Sequence, residues 1–235
     1  MPEWGRERFL ATWGVWFHET MTGQAQAAFQ RADELLAIAR ELNTTDLLVE
    51  AYHARTPGLL RAADYPALKE SAQQVIRLYD RERDRDHAFY FGGHDSRVCA
   101  QSFYAISLWG LGFPDQAQEM AWQCIQDARN LAHAFSLAHS LNMGGLTHLL
   151  LKDIDACRKV TEELYPLAER NKFPWPLIYA RFRGDGCGRS AETPKRVLKR
   201  CCNPPKPHRP QFSTLSYGRC SRNSRWRRNI WMQRK

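Results

Sequence analysis

The chain has 235 residues, of which 43% are hydrophobic, and a formal net charge of +9. This length and composition are typical of a globular protein with a sizeable core, and no run of 18 apolar residues offers a membrane-spanning helix. The charge is uneven, since residues 183–235 hold 15 Lys and Arg against 2 Asp and Glu, whereas residues 1–182 hold 19 against 23. A basic surface for nucleic acid is therefore excluded from the body and confined to the C-terminal segment.

The N-terminal residues and the cysteines indicate the cellular compartment in which the protein is expected. Glu3 and Arg6 precede any apolar run, so the plan of a secretory signal is missing. The cysteine count of seven is odd, and Cys99, Cys124 and Cys157 stand at isolated helical positions. Free thiols in a reducing compartment are the simpler interpretation, and a cytoplasmic protein without a membrane partner is expected.

Apolar residues recur at three- and four-residue spacing through most of the body, which predicts amphipathic helices. Pro57 is expected to kink or shorten the third helix, because proline lacks the N–H that a helix interior needs. In chain order the predicted helices cover residues 6–20, 24–42, 46–61, 67–80, 97–111, 114–130, 133–151, 153–171 and 173–182.

The junction around Gly112 is the best-defined turn between two predicted helices. Trp109 lies near the end of one apolar helix, Gly112 lets the backbone turn, and Pro114 and Asp115 suit the first turn of the next helix. Ala117 follows five residues after Gly112, and a small side chain there lets the two helices approach closely. The junction therefore predicts a helical hairpin.

Similar junctions recur, with Gly23 marking the first turn and an alanine following each turn at Ala28, Ala67, Ala117 and Ala156. The alanines are 39, 50 and 39 residues apart, which predicts one repeat length with an insertion of 11 in the middle interval. A fixed period of this size is typical of a helical solenoid. The sequence thus predicts an all-α helical-hairpin solenoid over residues 1–182.

Residues 81–96 form the predicted insertion. Its charged start is expected to extend the preceding helix into solvent, and its two glycines are expected to form a turn. Insertions in solenoids map to one face, often the binding face. Tyr90, Phe91, His94 and Asp95 are therefore the predicted contacts with a partner or another domain.

Neither catalysis nor a cofactor is predicted. The sequence has no Gly-x-x-x-x-Gly-Lys-Ser/Thr loop and no Gly-x-Gly-x-x-Gly motif after a strand. His87, His94 and Asp95 lie in the insertion without a nearby cysteine pair, so they are expected to brace the loop by hydrogen bonds rather than to hold a metal ion. Paired Cys-x-x-Cys spacing is also missing from the C-terminal cysteines, which are Cys187, Cys201, Cys202 and Cys220.

The apolar period stops after Phe182. Residues 183–235 are rich in Pro and Arg and predict a disordered, basic tail. Residues 225–231 mix cations with aromatics, a composition that allows weak binding to nucleic acid. Translation in a shifted frame from about residue 184 is a hypothesis that accounts for the abrupt loss of pattern, and the nucleotide sequence tests it.

Five stretches carry a resemblance to a known family: residues 47–53, 90–95, 107–117, 133–138 and 173–177. They resemble the tetratricopeptide-like C-terminal region of large bacterial signalling proteins that join a class III adenylate/guanylate cyclase domain, or a protein kinase domain, to a predicted ATPase module. The resemblance covers roughly residues 8–182, and Leu-Gly-Phe-Pro-Asp-Gln-Ala at 111–117 is its most specific part. It departs at Ala134, where the family usually has proline.

Two functions are left open. The resemblance implies a non-catalytic protein-interaction or regulatory module, a fragment of a cyclase- or kinase-linked ATPase, whose partner is another protein or another domain of the parent. The alternative is a fragment of a nucleic-acid-associated transcriptional regulator, because similar helical arrays sit beside DNA-binding domains in large bacterial activators. The alternative rests on the basic tail alone, for which only weak nucleic-acid binding is expected.

Overall fold

The structure is a computed structural model that describes residues 3–187, with side chains described for residues 4–183. This part of the chain is all-α, as predicted, and has no strand. None of its helices is both long and apolar enough to cross a membrane. Most of the predicted tail lies outside the described residues. The helices are α1 (Glu3–Met21), α2 (Ala25–Leu42), α3 (Thr45–Arg61), α4 (Tyr65–Leu78), α5 (His87–Tyr90), α6 (Ser96–Gly110), α7 (Pro114–Asn130), α8 (Ala134–Leu150), α9 (Ile154–Arg170) and α10 (Pro174–Cys187).

The long helices pack as a chain of neighbouring pairs. Each packs on the next long helix along the sequence, with α4 packing on α6 across the short α5. In addition α3 packs on α6, α6 on α8, and α8 on α10, so these four helices form one layer. The helices between them form the other layer. This arrangement is the predicted helical-hairpin solenoid.

The repeat length is read from the backbone rather than from the alanines. Seven residues with left-handed φ values of 50° to 86° each lie two positions before a helix begins. They are 20 residues apart, except for one interval of 49, so a hairpin takes 40 residues and the insertion adds 9. The predicted values of 39 and 11 were each off by one or two. The residues are Gly23, Asn43, Ala63, Gly112, Ala132, Lys152 and Lys172.

The predicted alanine register is correct in α2 and α7 and shifted by one in α4 and α9. The equivalent of Ala28 in α4 is Leu68, which is fully buried and donates its N–H to the carbonyl of Asp64 at 2.9 Å. Ala67 is only half-buried, and its N–H bonds the Asp64 side chain instead. Ala67 is thus the third residue of α4, where its N–H bonds the capping aspartate, whereas Ala28 is the fourth residue of α2. In α9 the same shift puts Cys157 in place of Ala156.

Aromatic residues build the N-terminal core. Phe9, Trp13 and Trp16 of α1 are buried, whereas Phe17 is exposed. Phe91 enters this core from the insertion, with its ring edge-on to Trp13 at a centroid distance of 5.0 Å. Phe91 therefore anchors the insertion to the hairpin formed by α1 and α2.

The start of the insertion is a closed turn, and the predicted helical extension was wrong. The backbone becomes extended at Tyr79, which ends α4 at Leu78. The Asp80 carboxylate then accepts the N–H of Arg83 at 2.9 Å, and the Asp84 carboxylate accepts the N–H of Asp80 at 2.9 Å. The Arg83 guanidinium bonds Asp84 at 2.6 Å. The charged side chains of this segment therefore hold a turn closed by hydrogen bonds instead of lying on a solvent-exposed helix.

Two other boundaries differ from the prediction. α3 continues through Pro57 to Arg61 without being shortened, and the hydroxyl of Thr56 donates to the His53 carbonyl at 2.8 Å. The helical body also continues past residue 182, since α10 runs to Cys187. Arg183 is buried and bonds both the carbonyl and the side chain of Asn142.

Candidate functional site

Two histidines and a cysteine meet in the layer formed by α3 and α6. His53 comes from α3, His94 from the loop before α6, and Cys99 from the first turn of α6. One donor atom of each, the cysteine sulfur and a ring nitrogen of each histidine, lies within 4.8 Å of the other two. His53 and Cys99 are buried and His94 is half-buried. We call these three residues the His–Cys cluster.

Hydrogen bonds at Nδ1 orient both histidines of the cluster. His53 Nδ1 lies 3.0 Å from Glu50 Oε2, and His94 Nδ1 lies 3.0 Å from the carbonyl oxygen of Gly92. Both partners are acceptors, so Nδ1 carries the proton and donates in each ring. Nε2 of His94 has no hydrogen-bond partner within the described part of the chain. The orientation therefore directs Nε2 of each ring away from these acceptors.

Glu50 lies behind the cluster as a fully buried acceptor. It accepts hydrogen bonds from His53, from His87 Nδ1 at 2.6 Å, and from the hydroxyl of Ser96 at 2.6 Å. Burial alone would raise the pKa of Glu50, but the bonds from the two histidines hold its pKa below the ordinary value. Glu50 is therefore an anionic link between α3, the insertion and the start of α6.

The cluster favours a thiolate at Cys99. Burial alone would raise the pKa of the Cys99 thiol, but His94, His139 and His53 around it hold that pKa well below the usual range. Burial works against the charge of His53 too, yet Cys99 and Glu50 raise the pKa of His53 to about 10. The pKa of His94 is lowered by burial. The directions of these pKa shifts thus favour a thiolate at Cys99 and a neutral ring at His94.

His139 extends the site to the next hairpin. This residue of α8 stacks parallel on His94, with a centroid distance of 4.4 Å and an interplanar angle of 3°. Its Nε2, like that of His94, lacks a hydrogen-bond partner in the described part of the structure. The site therefore draws on three successive helices of one layer.

The predicted contact residues divide into one exposed residue and three that face inward. Tyr90 is 71% exposed and stays available, whereas Phe91 is 1% exposed within the N-terminal core. His94 belongs to the His–Cys cluster, and Asp95 caps α6 by accepting the N–H of Val98 at 2.9 Å. Phe91 and Asp95 are buried and His94 is half-buried, so Tyr90 is the predicted contact residue with a largely exposed side chain.

The expected loop-bracing hydrogen bonds are present. His87 bonds Glu50, Asp95 caps α6, and His94 bonds the carbonyl of Gly92. His94 also joins His53 and Cys99, which sequence reasoning missed. Those two lie in separate predicted helices, and each by itself is typical of a buried core residue.

A cleft lies beside the insertion, at the turn between α7 and α8. Its volume is about 750 Å³. Phe89 is 78% exposed at its edge, and its ring lies 6.4 Å from that of His133. Aromatic and charged side chains of both signs share the lining, which includes Tyr79, Arg81, Glu82, Arg85, Asp86, Phe89 and Leu131.

The donor set of the His–Cys cluster is chemically distinctive. A thiolate and imidazoles are the ligands that zinc and other late first-row metals prefer. A carboxylate behind one histidine is a common companion of such ligands. Cys99 is only 2% exposed, so a large substrate does not reach its sulfur. The cluster is therefore better suited to holding a small ion than to attacking a macromolecule.

Comparison with known proteins gives no named function. No family model matches the chain. The chain is similar to a protein of Rhizobium meliloti (strain 1021) described as uncharacterized, with 26% identity over 165 residues. That alignment covers 70% of this chain and 16% of the relative. The chain thus spans a small part of the curated relative that it matches.

Proposed function

We propose that this chain is a non-catalytic helical-repeat module that binds another part of a longer bacterial signalling protein, of the cyclase- or kinase-linked ATPase type, and takes part in its regulation. The observation that carries the proposal is the cleft beside the insertion. Phe89 is exposed in its lining and Tyr90 is exposed next to it in the chain, although neighbouring Phe91 is anchored in the core. Exposed aromatics beside charged residues of both signs suit a protein segment better than a small metabolite.

Exposed apolar side chains on the first and last described helices support the same proposal. Trp4 and Val15 on α1, and Trp175 and Ile178 on α10, are 79%, 45%, 49% and 54% exposed. Solenoids ordinarily cover the outer faces of their end repeats with polar residues. These faces are suited to contacts with further protein. The Rhizobium relative has such further protein, since the alignment covers only 16% of its length.

Photo-crosslinking in the native host tests the proposal. A photoreactive phenylalanine analogue replaces Tyr90, which adjoins the cleft residue Phe89, and a matched control carries it at Phe113, which is 45% exposed at the opposite end of α7 from the cleft. We expect the Tyr90 position to crosslink one protein that carries a cyclase, kinase or ATPase domain, and Phe89→Ser to abolish that crosslink. Equal labelling from both positions, or crosslinking of Tyr90 only to nucleic acid, would contradict the proposal.

A further inference from the structure

We propose that His53, His94 and Cys99 bind a zinc ion that joins α3 to the start of α6. This metal site is independent of the proposed interaction role. Zinc binding would explain why two histidines and a cysteine are placed together, which packing alone does not explain.

The spacing of the three donor atoms fits a tetrahedral ion after small side-chain movements. Zinc takes sulfur at about 2.3 Å and imidazole nitrogen at about 2.0–2.1 Å, which separates tetrahedral donors by about 3.3–3.6 Å. The three donors already lie within 4.8 Å of one another without an ion. Side-chain rotation of His53 and His94 is the movement that the proposal requires to close the remaining gap.

The outer hydrogen bonds are those that zinc-binding histidines ordinarily make. Such a ring donates its second N–H to a carboxylate or to a backbone carbonyl, which fixes both its tautomer and its direction. His53 has Glu50 in this position, and His94 has the carbonyl of Gly92. Two separate elements of the fold thus orient two imidazoles with Nε2 directed toward the ion, whose binding displaces the proton of His53.

The repeat itself marks Cys99 as unusual. Cys99 donates its N–H to the residue that precedes α6, and the residues making the same bond in the other helices of this layer are leucines. What distinguishes Cys99 is that this change from leucine places a sulfur beside ring nitrogens of His53 and His94. The leucines are Leu48 in α3, Leu137 in α8 and Leu177 in α10.

The other buried cysteines of the body differ from Cys99. Cys124 donates its thiol to the carbonyl of Val98 at 3.2 Å and contacts the hydroxyl of Ser102 at the same distance. Cys157 occupies a position that holds Leu68 in α4 and alanine in α2 and α7. Neither belongs to a group of metal donors among the described residues. They therefore serve as matched controls.

A water molecule is proposed as the fourth ligand, beside two nitrogens and one sulfur. His139 of α8 stacks parallel on His94 and does not belong to the three-residue donor group, and two parallel rings cannot both direct an in-plane lone pair at one ion. His139 therefore packs against the ring of His94 rather than binding the ion.

The test uses the full chain purified under reducing conditions, in a background where the four cysteines from Cys187 onward are serine, so that the tail cannot supply thiolates. Zinc content after gel filtration is measured by mass spectrometry, and affinity by competition with a chromophoric chelator. We expect one zinc per chain. Cys99→Ser should weaken the affinity by more than about 100-fold, and Glu50→Gln by roughly 10- to 100-fold. Cys124→Ser and Cys157→Ser should leave it unchanged.

Cobalt gives a second readout that does not depend on how well the variants fold. Co²⁺ is added to the chain in which His53, His94 and Cys99 are intact. It should produce the visible bands of a tetrahedral ion and a thiolate-to-cobalt charge-transfer band. A chain that retains no zinc and gives no such spectrum overturns the proposal. Retention unaffected by Cys99→Ser, or lost equally in Cys124→Ser, places the metal elsewhere and overturns it as well.

Discussion

His87 donates from Nδ1 to Oε1 of Glu50 over 2.6 Å, although 37 residues separate the two along the chain. This bond ties the inserted segment to α3 through a carboxylate with no exposed surface. His53 and Ser96 bond the same carboxylate, so that three donors depend on one acceptor group. The position of the insertion is therefore set by a buried anion.

Replacing Glu50 with alanine should be among the most damaging changes in the body. It leaves His53, His87 and Ser96 without their buried acceptor, and we expect a loss of about 3–5 kcal/mol in the free energy of unfolding. Urea unfolding followed by circular dichroism measures it. Glu70→Ala on the exposed face of α4 is the control and should change stability by less than about 0.5 kcal/mol. Equal effects of the two substitutions would refute the assigned role of Glu50.

The left-handed turn residues give a reciprocal pair of predictions. Gly112 has φ 86° and open space where a Cβ would lie, whereas Ala132 holds the equivalent position with φ 53°. A Cβ in this conformation costs roughly 1–2 kcal/mol. We therefore expect Gly112→Ala to destabilise by about 1 kcal/mol and Ala132→Gly to stabilise by a smaller amount, because glycine also loosens the unfolded chain. Denaturation midpoints at constant m-value check both, and shifts of the same sign would contradict the argument.

Gly110 permits the close approach of α4 and α6. A Cβ there would clash with the Tyr65 ring, which packs against Trp109. Gly110→Ala should cost about 1–3 kcal/mol through overpacking. Gly14→Ala is the matched control within a helix, since nothing lies within 4 Å of its added Cβ, and it should stabilise by about 0.5–1 kcal/mol. Thermal unfolding of the two variants should therefore shift in opposite directions.

His148 makes stability depend on pH. It is fully buried against Trp122 at a centroid distance of 4.7 Å, and neither ring nitrogen has a hydrogen-bond partner within the described residues. Burial lowers its pKa below the ordinary 6.5, so the unfolded chain binds a proton that the folded chain does not. The contribution of neutral His148 to the free energy of unfolding is present above about pH 6.5. It is lost as the pH falls toward the pKa of His148 in the folded chain.

His148→Leu should flatten that dependence. We expect the variant to lose less stability than the wild type between about pH 7 and pH 5, and to gain about 1 kcal/mol at neutral pH from removing an unpaired polar group. His18→Gln on the exposed face of α1 controls for a general effect of removing a histidine. Parallel pH profiles for wild type and His148→Leu would show that His148 is not the titrating group.

The basic tail makes a separate prediction about nucleic acid. Any affinity of the full chain for duplex DNA should be weak and should fall steeply with salt, because it comes from phosphate contacts. Changing Arg225, Arg227 and Arg228 together to serine should lower the slope of log K against log salt by up to about 3. Sequence-selective binding that survives this triple change would favour the transcriptional-regulator interpretation over the protein-interaction module.

Local pattern predicted the fold because helix amphipathicity is a property of neighbouring residues. The apolar spacing located the long helices within a few residues, and the Gly112 junction revealed the repeat. The insertion was less predictable, since its turn depends on how Asp80 and Asp84 bond nearby backbone groups. A run of charges does not by itself distinguish a solvated helix from a closed turn.

The His–Cys cluster was not predictable for a different reason. His53 and Cys99 are adjacent only because α3 and α6 pack directly, although the two helices are not consecutive in the chain. The single local signal was the cysteine at a repeat position otherwise held by leucine. It becomes visible only when the register is taken from the residue before each helix, not from the alanines.

The contacts across the layer also bear on how the chain unfolds. In a simple linear array each hairpin contacts only its neighbours, and unfolding proceeds inward from the ends. Here α3, the inserted segment and α8 are joined by the Glu50–His87 bond and by the stacked rings of His94 and His139. The middle of the array is thus expected to melt as one cooperative block, so that fraying is confined to its last hairpin and amide exchange from α3 to α8 is set by a single opening event.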